Sequence, residues 1–399
     1  MVGGGPAGMM LGYLLARSGV DVTVLEKHGD FLRDFRGDTV HPSTMQVLHE
    51  LGILDQFLAL PHSEIRTIGG QVGADYITVG NFEHVPGPAK FLAITPQWNF
   101  LNFIAEAGRA FSGFHLRMNT EATGIIEEHG RVTGVQARSP EGPLEIRADL
   151  VVATDGRHST IRSAIGAQPL DLGAPMDVLW LRLPRLPSDK TAALGYAGAG
   201  AIFVMIDRGD YWQCGYVIAK GSVETLRARG IEALRQEIAA LVPFMASRLS
   251  AIADWDDVKL LEVKVDRLQC WHRPGLLLIG DAAHAMSPVG GVGINLAVQD
   301  AVAAANILAA PLAAPGAIPE MVLAEVQKRR EWPTIMTQRL QVLIQNRIIA
   351  SVLRAKAAPV RAPLLMRFLN ASPLLQRIPA RLVGIGFRPE HIRPARRVP

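Results

Sequence analysis

The chain has 399 residues, 49% apolar and 20% charged, which excludes a disordered or fibrous protein and is long enough for two domains sharing a large core. Its net charge is +4, and its only cysteines, Cys214 and Cys270, form no metal or redox spacing, so neither a disulfide framework nor a metal centre is expected and a reducing cytoplasm is the default. The charge is uneven, with 15 Lys+Arg and 3 Asp+Glu from Val322 onward against 26 and 34 before it, but no zinc spacing, RNA motif or aromatic-interleaved basic strip accompanies it, so no nucleic-acid partner is expected.

Met1-Val2 is followed by Gly3-Gly4-Gly5-Pro6-Ala7-Gly8, with no signal-peptide pattern ahead of it. This Gly-x-Gly-x-x-Gly run opens a predicted helix that reaches about Ser18 and stops at Gly19. Val20 to Leu25 reads as a buried strand closed by Glu26, with Lys27 beside it. An acid roughly 20 residues past the glycines completes a dinucleotide fingerprint. In that reading Gly3, Gly5 and Gly8, with Pro6 and Ala7 between them, let backbone approach a pyrophosphate. Glu26 then accepts hydrogen bonds from an adenosine ribose. The plain alternative is a glycine-rich helix start. Such a fingerprint should follow a strand, and two residues are too few for one. The expectation is a sequence that starts late, because losing that central strand would leave its neighbours unpaired.

Arg33 to Met45 reads as a polar turn leading into a helix that begins at Pro42-Ser43-Thr44. Thr95-Pro96-Gln97 begins another helix, Trp98 to Ala110. Ala122 to Gln136 reads as two strands around His129-Gly130, and Leu144 to Ala148 as a third. Leu150 to Thr154 is a buried strand ending on Asp155-Gly156, where Ser159 is a good N-cap with Arg162 in the first turn. From about Pro169 the pattern becomes antiparallel. Ala201 to Asp207 and Tyr211 to Ile218 flank the hairpin signal Arg208-Gly209-Asp210. Ser222 is expected to cap a helix to about Leu241, and Val258 to Asp266 alternates like a half-solvated strand. Trp212, Gln213 and Tyr216 are candidates for a substrate pocket there, set against plain sheet packing.

The strand Leu276 to Ile279 runs into Gly280-Asp281-Ala282-Ala283-His284 and then Pro288-Val289-Gly290-Gly291-Val292-Gly293-Ile294-Asn295. A glycine-rich turn that opens a helix offers free N–H groups and the positive end of a helix dipole to an anion or an electron-rich ring. An ordinary strand–loop–helix crossover is the competing reading. His284 is an acid–base candidate, although a histidine in such a place is more often structural. Ala301 to Ile318 reads as a buried helix plus loop rather than a membrane span. Pro319 to Lys356 is a long helical pattern that Pro333 should interrupt. The tail from Pro359 to Pro399 carries Leu364-Leu365, Phe368-Leu369 and Leu374-Leu375 among arginines. It is expected either to pack on the body or to make a basic amphipathic contact with anionic lipid, which would make the protein membrane-associated.

Gly280 to Asn295 resembles the second flavin motif of the group A flavoprotein monooxygenases, the para-hydroxybenzoate hydroxylase-like family. Asp155-Gly156-x-x-Ser159-x-x-Arg162 is similar to that family's third motif, and the two lie in the family's order after the N-terminal fingerprint. The resemblance implies an α/β fold: a Rossmann-like FAD-binding domain of the GR2 type with an inserted antiparallel-sheet substrate domain. The expected FAD-binding parts are residues 1–70, 96–168 and 268–318, with the substrate domain in 71–95 and 169–267 and a helical basic region in 319–399. It implies FAD on Gly3, Gly5, Pro6, Ala7, Gly8, Glu26 and Lys27, with Arg36 at the phosphates and Gln97 as a further hydrogen-bond partner. Asp155, Gly156, Arg162 and Gly280 hold it further, Asp281 takes the ribityl chain, and Pro288, Gly290, Gly291, Gly293, Ile294 and Asn295 lie against the ring. NADH or NADPH enters as a transient co-substrate, and O2 forms a flavin hydroperoxide that hydroxylates an aromatic, polyketide-like or quinone-like small molecule. Because the cofactor carries the hard step, no catalytic residue is named. A same-fold flavin reductase or dehydrogenase, and a non-catalytic flavin- or product-binding protein, stay open. The Trp-x-Trp-x-x-Pro signature of flavin halogenases is absent.

Overall fold

The computed structural model describes residues 1–32, 39–73, 75–189, 194–198, 200–355, 362 and 364–393. The fold is mixed α/β. The N-terminal half of the chain is organised by α1 (Pro6–Arg17), α2 (Pro42–Glu50), α3 (Leu54–Leu58), α4 (Gln97–Gly108) and α5 (Thr160–Ala164). The second half holds α6 (Val223–Ala228), α7 (Ile231–Leu241), α8 (Gly293–Ala313), α9 (Glu320–Ile344), α10 (Ala350–Arg354), α11 (Leu364–Ala371) and α12 (Pro373–Gly384).

The main core forms where α1, α4 and α8 bury apolar faces against each other and against short parallel strands. α8 is almost featureless in sequence because most of its length is enclosed, and α1 and α9 pack against it. Although α8 is long and apolar enough to cross a membrane by composition, it is a core helix here. Val22–Leu25 pairs in parallel with Phe114–Arg117, and Val151–Ala153 with Leu276–Leu278. All three residues of Val151–Ala153 and of Leu276–Leu278 are buried, as strands covered on both faces must be.

Val2 bridges in parallel to both Leu25 and Ala153. Its N–H donates to the Val152 carbonyl at 2.8 Å, its carbonyl accepts from Thr154 N–H at 2.8 Å, and Gly3 N–H donates to the Leu25 carbonyl at 2.9 Å. These bonds set the angle at which the chain enters the glycine turn.

The second large layer is a seven-stranded sheet in the order Lys259–Leu261, Met176–Pro184, Tyr211–Ala219, Ala201–Asp207, Leu194–Gly198, Thr67–Val72, Asp75–Asn81. Its membership thus begins before residue 71, and Leu92–Ile94 pairs instead with Thr39–Val40 and Ser63–Ile65. α6, α7 and the segment Pro243–Ala251 cover one face with an apolar layer. Three local expectations change. The helix after Ser222 breaks because Gly230 takes φ +84, and the Ser222 hydroxyl donates back to the Ala219 carbonyl rather than capping. The alternating run 258–266 keeps Lys259–Leu261 in this sheet and then leaves it, Asp266 pairing instead with Asp171 and Ala285. α9 continues through Pro333, held in place by its buried side, with Thr337 donating to the Pro333 carbonyl.

The tail packs on the body as far as it is described. α12 and α11 lie against Asp75–Asn81, and Asn370 accepts from Thr78 N–H at 2.8 Å. Glu390 pairs with Arg329 and Arg330, while Glu50 takes Ile392 N–H and His391. Leu364 and Phe368 nevertheless stay exposed, at 81% and 64%, as do Leu374 and Ile378. Arg396 and Arg397 lie outside the described residues.

Candidate cofactor and substrate site

The three fingerprint glycines of the N-terminal turn, Gly3, Gly5 and Gly8, do different work. Gly3 sits at φ +106, where a Cβ would lie 2.6 Å from the Thr154 carbonyl oxygen. At Gly8 a Cβ would meet the Gly3 carbonyl at 2.1 Å and Thr154 Oγ1 at 2.5 Å, so this glycine lets α1 close onto the strand ends. At Gly5 the nearest atom to a Cβ would be 3.9 Å away. The turn is therefore packed below and open above, at the end of α1 where the first amides have no helical partner. Pro6 and Ala7 form the start of α1. Glu26 closes the floor, its carboxylate accepting from Gly4 N–H at 3.1 Å and His28 N–H at 3.0 Å. Lys27 is exposed beside it.

The second wall is the turn after Val151–Ala153. Asp155 Oδ2 accepts from Ile161 N–H at 3.2 Å, while Oδ1 is buried without a protein partner. Burial pushes this carboxyl above its usual range despite the hydrogen bonds at the start of α5. Gly156 takes φ +83. Ser159 caps α5 by accepting from Arg162 N–H at 2.9 Å. The buried Arg162 guanidinium then donates to the carbonyls of Ala282 and Arg157, tying this turn to the one after Leu276–Leu278.

The third wall begins at Gly280, where a Cβ would stand 3.1 Å from Ala7 Cβ. So the fingerprint turn, the Asp155 turn and the Gly280-Asp281 turn converge on one place. Asp281 is half-buried and pairs with Arg157 Nε at 3.1 Å. This pairing spans 124 residues and leaves no local signature in the sequence.

Beyond Asp281 the chain turns through Pro288, with Gly290 at φ +79 and Gly291 at φ +63. Only glycine adopts such angles without strain. Gly293 opens α8, and a Cβ there meets nothing within 4 Å. The helical ladder starts with Leu296 N–H on the Val292 carbonyl, so the amides of Gly293, Ile294 and Asn295 lie outside it. Asn295 is clamped from below: its Oδ1 accepts from Ser43 Oγ at 2.7 Å and Thr44 Oγ1 at 2.8 Å. His41 spans the carbonyls of Gly291 and Val383, at 2.9 and 2.8 Å. Its burial lowers its pKa, against those two hydrogen bonds. The sequence showed Pro42-Ser43-Thr44 only as a helix start; the clamp is a tertiary feature with no local signature. Gln97 heads α4, three residues after Ile94, which pairs with the Thr39 that touches Gly291. Arg36 lies outside the described residues.

His284 is not at this surface. It is 1% exposed, with Nε2 2.6 Å from Asp300 Oδ2 and its ring against Trp271. Asp300 also accepts from Gly280 N–H at 3.1 Å and Arg330 Nε at 2.9 Å, and Arg330 reaches Glu390. Burial alone would raise the Asp300 carboxyl, but His284 and Arg330 hold it below its usual value. His284 is thus part of a buried charge network, and the structural reading replaces the acid–base one.

The pocket candidates divide by face. Trp212 and Tyr216 point into the layer under α7, where Trp212 Nε1 donates to Asp189 at 2.8 Å and the Tyr216 hydroxyl to Glu237 at 2.7 Å. Both are sheet-packing residues. Gln213 lies on the opposite face, engaged by Arg208 at 3.1 Å. On that opposite face a cavity of about 470 Å3 opens between the sheet and the helices α10 and α11.

Comparison with known proteins gives the same direction. Residues 1–339 match the family described as FAD binding domain. The chain is 35% identical over 383 residues to 6-methylpretetramide 4-monooxygenase of Streptomyces rimosus, covering 95% of this chain and 91% of that one. Among solved structures, Pseudomonas aeruginosa PqsL in complex with 2-aminobenzoylacetate superposes with a TM-score of 0.74 at 20% identity, over 89% of this chain and 95% of that one. The anhydrotetracycline hydroxylase OxyS of Streptomyces rimosus gives a TM-score of 0.71 at 22% identity, over 96% and 74%.

Proposed function

The chain belongs to the FAD binding domain family and is an FAD-dependent monooxygenase, and on that footing we propose how its residues hold the cofactor and what they oxidise. The three converging turns would hold FAD, and the observation that carries this is the open space over Gly5 together with the partnerless Asp155 Oδ1. The amides after Gly5 meet the pyrophosphate, with Pro6 adding no donor. Glu26 takes the adenosine ribose hydroxyls. Asp281, oriented by Arg157, takes the ribityl hydroxyls. The turn from Pro288 to Asn295 would support the ring, and the amides of Gly293, Ile294 and Asn295 at the start of α8 would stabilise negative charge there. Bound there, FAD supplies the oxygen activation, with NADH or NADPH as transient reductant. The chain's own part is to bind, orient and exclude water.

The substrate in this reading is an electron-rich aromatic ring of the polyketide type, in line with the activity for which the Streptomyces rimosus relative is named. The FAD-binding parts within residues 1–66, 96–168 and 268–318 would frame the cofactor, and the seven-stranded sheet, which takes in Thr67–Val72, would roof it. The test is direct. Asp281→Ala should weaken FAD retention by about 1–3 kcal/mol through loss of the hydroxyl acceptor. The wild type should couple NAD(P)H oxidation to a product that is heavier by one oxygen atom. Full flavin retention in the variant, or NAD(P)H oxidation that no aromatic substrate stimulates, would count against this assignment.

The exposed row Leu364, Phe368, Leu374 and Ile378 lies in a stretch without acidic residues from Trp332 to Pro389. A peripheral contact of this face with anionic lipid is a secondary proposal, checked by co-sedimentation with anionic vesicles at low and high salt.

A further inference from the structure

We propose that the cavity between the seven-stranded sheet and α10–α11 is the substrate chamber, that it selects uncharged flat ligands of about three fused rings, and that Gly195 sets this selectivity. The inference rests on the monooxygenase reading above and narrows its substrate.

Position is the first argument. One wall of the cavity is the sheet, through Ile77 and Ile202 among others; the facing wall is Val352 and Ala355, with Met366 from α11. Ile202 also belongs to the apolar cluster that contains Val289 and Ile349. Val289 lies within the Pro288–Asn295 turn, so the chamber wall and the ring-supporting turn are parts of one packed unit.

Size is the second. An apolar cavity of about 150 Å3 is enough for a single benzene ring. The 470 Å3 here is about three times that. A single-ring ligand would leave most of the walls without contacts and gain little from entering.

Charge is the third. None of the described residues lining the cavity is Arg, Lys, His, Asp or Glu. A carboxylate brought there would lose its water and find no ion partner, a heavy penalty. A benzoate-type acid is therefore disfavoured, whereas phenols and quinones below their ionisation range lose much less. Ser351, on the α10 wall, is a polar side chain available to orient such groups.

Shape is the fourth. Gly69, Gly70 and Gly195 put bare backbone along the chamber floor. At Gly69 and Gly70 a Cβ would lie 2.6 and 2.5 Å from a carbonyl oxygen of the neighbouring strand, so those glycines serve strand packing. At Gly195 the nearest atoms would be 3.9 and 4.0 Å away. The register sets its direction: Gly195 pairs with Val204 and Ala197 with Ile202, so a side chain at 195 stands on the face of Ile202, toward the chamber. Position 195 is bare although the sheet itself would accept a side chain. The space over it is room for the ligand.

The experiment is equilibrium titration of the FAD-loaded full chain, read by perturbation of flavin absorbance and by ligand fluorescence. The probes are an uncharged dihydroxyanthraquinone, para-cresol and para-hydroxybenzoate. The tricyclic probe should bind at least about tenfold more tightly than either one-ring probe. Gly195→Leu should cost it at least about tenfold in affinity while FAD content, melting temperature and para-cresol affinity stay within about twofold or a few degrees of wild type. Ala355→Phe fills the same space from the opposite wall and should give the same pattern if the first variant folds poorly. Tighter binding of para-hydroxybenzoate, or unchanged anthraquinone affinity in a folded variant, overturns the chamber assignment and leaves the cofactor reading intact. A purified chain that takes up no FAD overturns the cofactor reading instead, and the two failures are told apart by flavin content alone.

Discussion

At the scale of single residues, Gly3, Gly5 and Gly8 are alike in sequence and unlike in cost. Gly5→Val has extended backbone and free space, so the protein should fold with nearly its normal melting temperature and lose FAD. Gly8→Val drives a side chain into the Gly3 carbonyl and should prevent stable folding. Flavin absorbance after desalting, beside a circular-dichroism melt, separates the two outcomes; a yellow, normally loaded Gly5→Val would remove the pyrophosphate from this turn. Asp155 gives a pH signature. Its carboxyl is raised in the folded chain by burial, so its contribution to stability is present below the unfolded pKa near 3.8 and is lost as pH rises through the higher folded value. Asp155→Asn removes that loss. The apoprotein variant should exceed wild type in urea resistance at neutral pH, with the difference shrinking as pH falls toward the unfolded carboxylate range; a constant difference across pH would place the burden elsewhere.

At the scale of elements, α2 and α8 are joined by a polar clamp. Ser43→Ala with Thr44→Val leaves the buried Asn295 Oδ1 without its two donors, which should cost about 1–3 kcal/mol in urea titration. The flavin spectrum should shift as well, because Asn295 belongs to the first turn of α8; loss of stability with an unchanged spectrum would confine the clamp to packing. What the sequence makes readable here is local. The helix after Gly5, the Ser159 cap and the hairpin at Arg208-Gly209-Asp210 depend on neighbours a few residues apart, and each forms. The clamp joins partners about 250 residues apart, and the Arg157–Asp281 pair 124 apart, so neither leaves a periodic trace. Trp212 and Tyr216 show the same limit in another form: alternation tells which residues share a face, but not which face meets α7.

At the scale of the whole molecule, the buried network His284–Asp300–Arg330–Glu390 locks the Gly280 turn, α8, α9 and the tail together. Asp300→Ala takes from Arg330 and His284 the buried carboxylate they share and should destabilise by about 3–5 kcal/mol, measured by chemical denaturation. A loss under about 1 kcal/mol would show that water enters and solvates the pair. The mixed α/β character is legible in the sequence. The sequence could not show that residues 385–393 return to Glu50, Asn306 and Arg329, since that depends on the finished shape of the body.

The same network makes cofactor occupancy and tail order two readings of one equilibrium. Asp300 accepts the Gly280 amide on one oxygen and the Arg330 guanidinium on the other, and Arg330 grips Glu390. A ligand that favours the native Gly280 turn therefore also favours the docked tail, and by mass action a hundredfold excess over its dissociation constant adds about 2.7 kcal/mol to whatever opening it opposes. Amide hydrogen exchange in the tail then becomes a meter for flavin loading: residues far from the ring should slow their exchange as free FAD rises, with the concentration dependence of a binding isotherm.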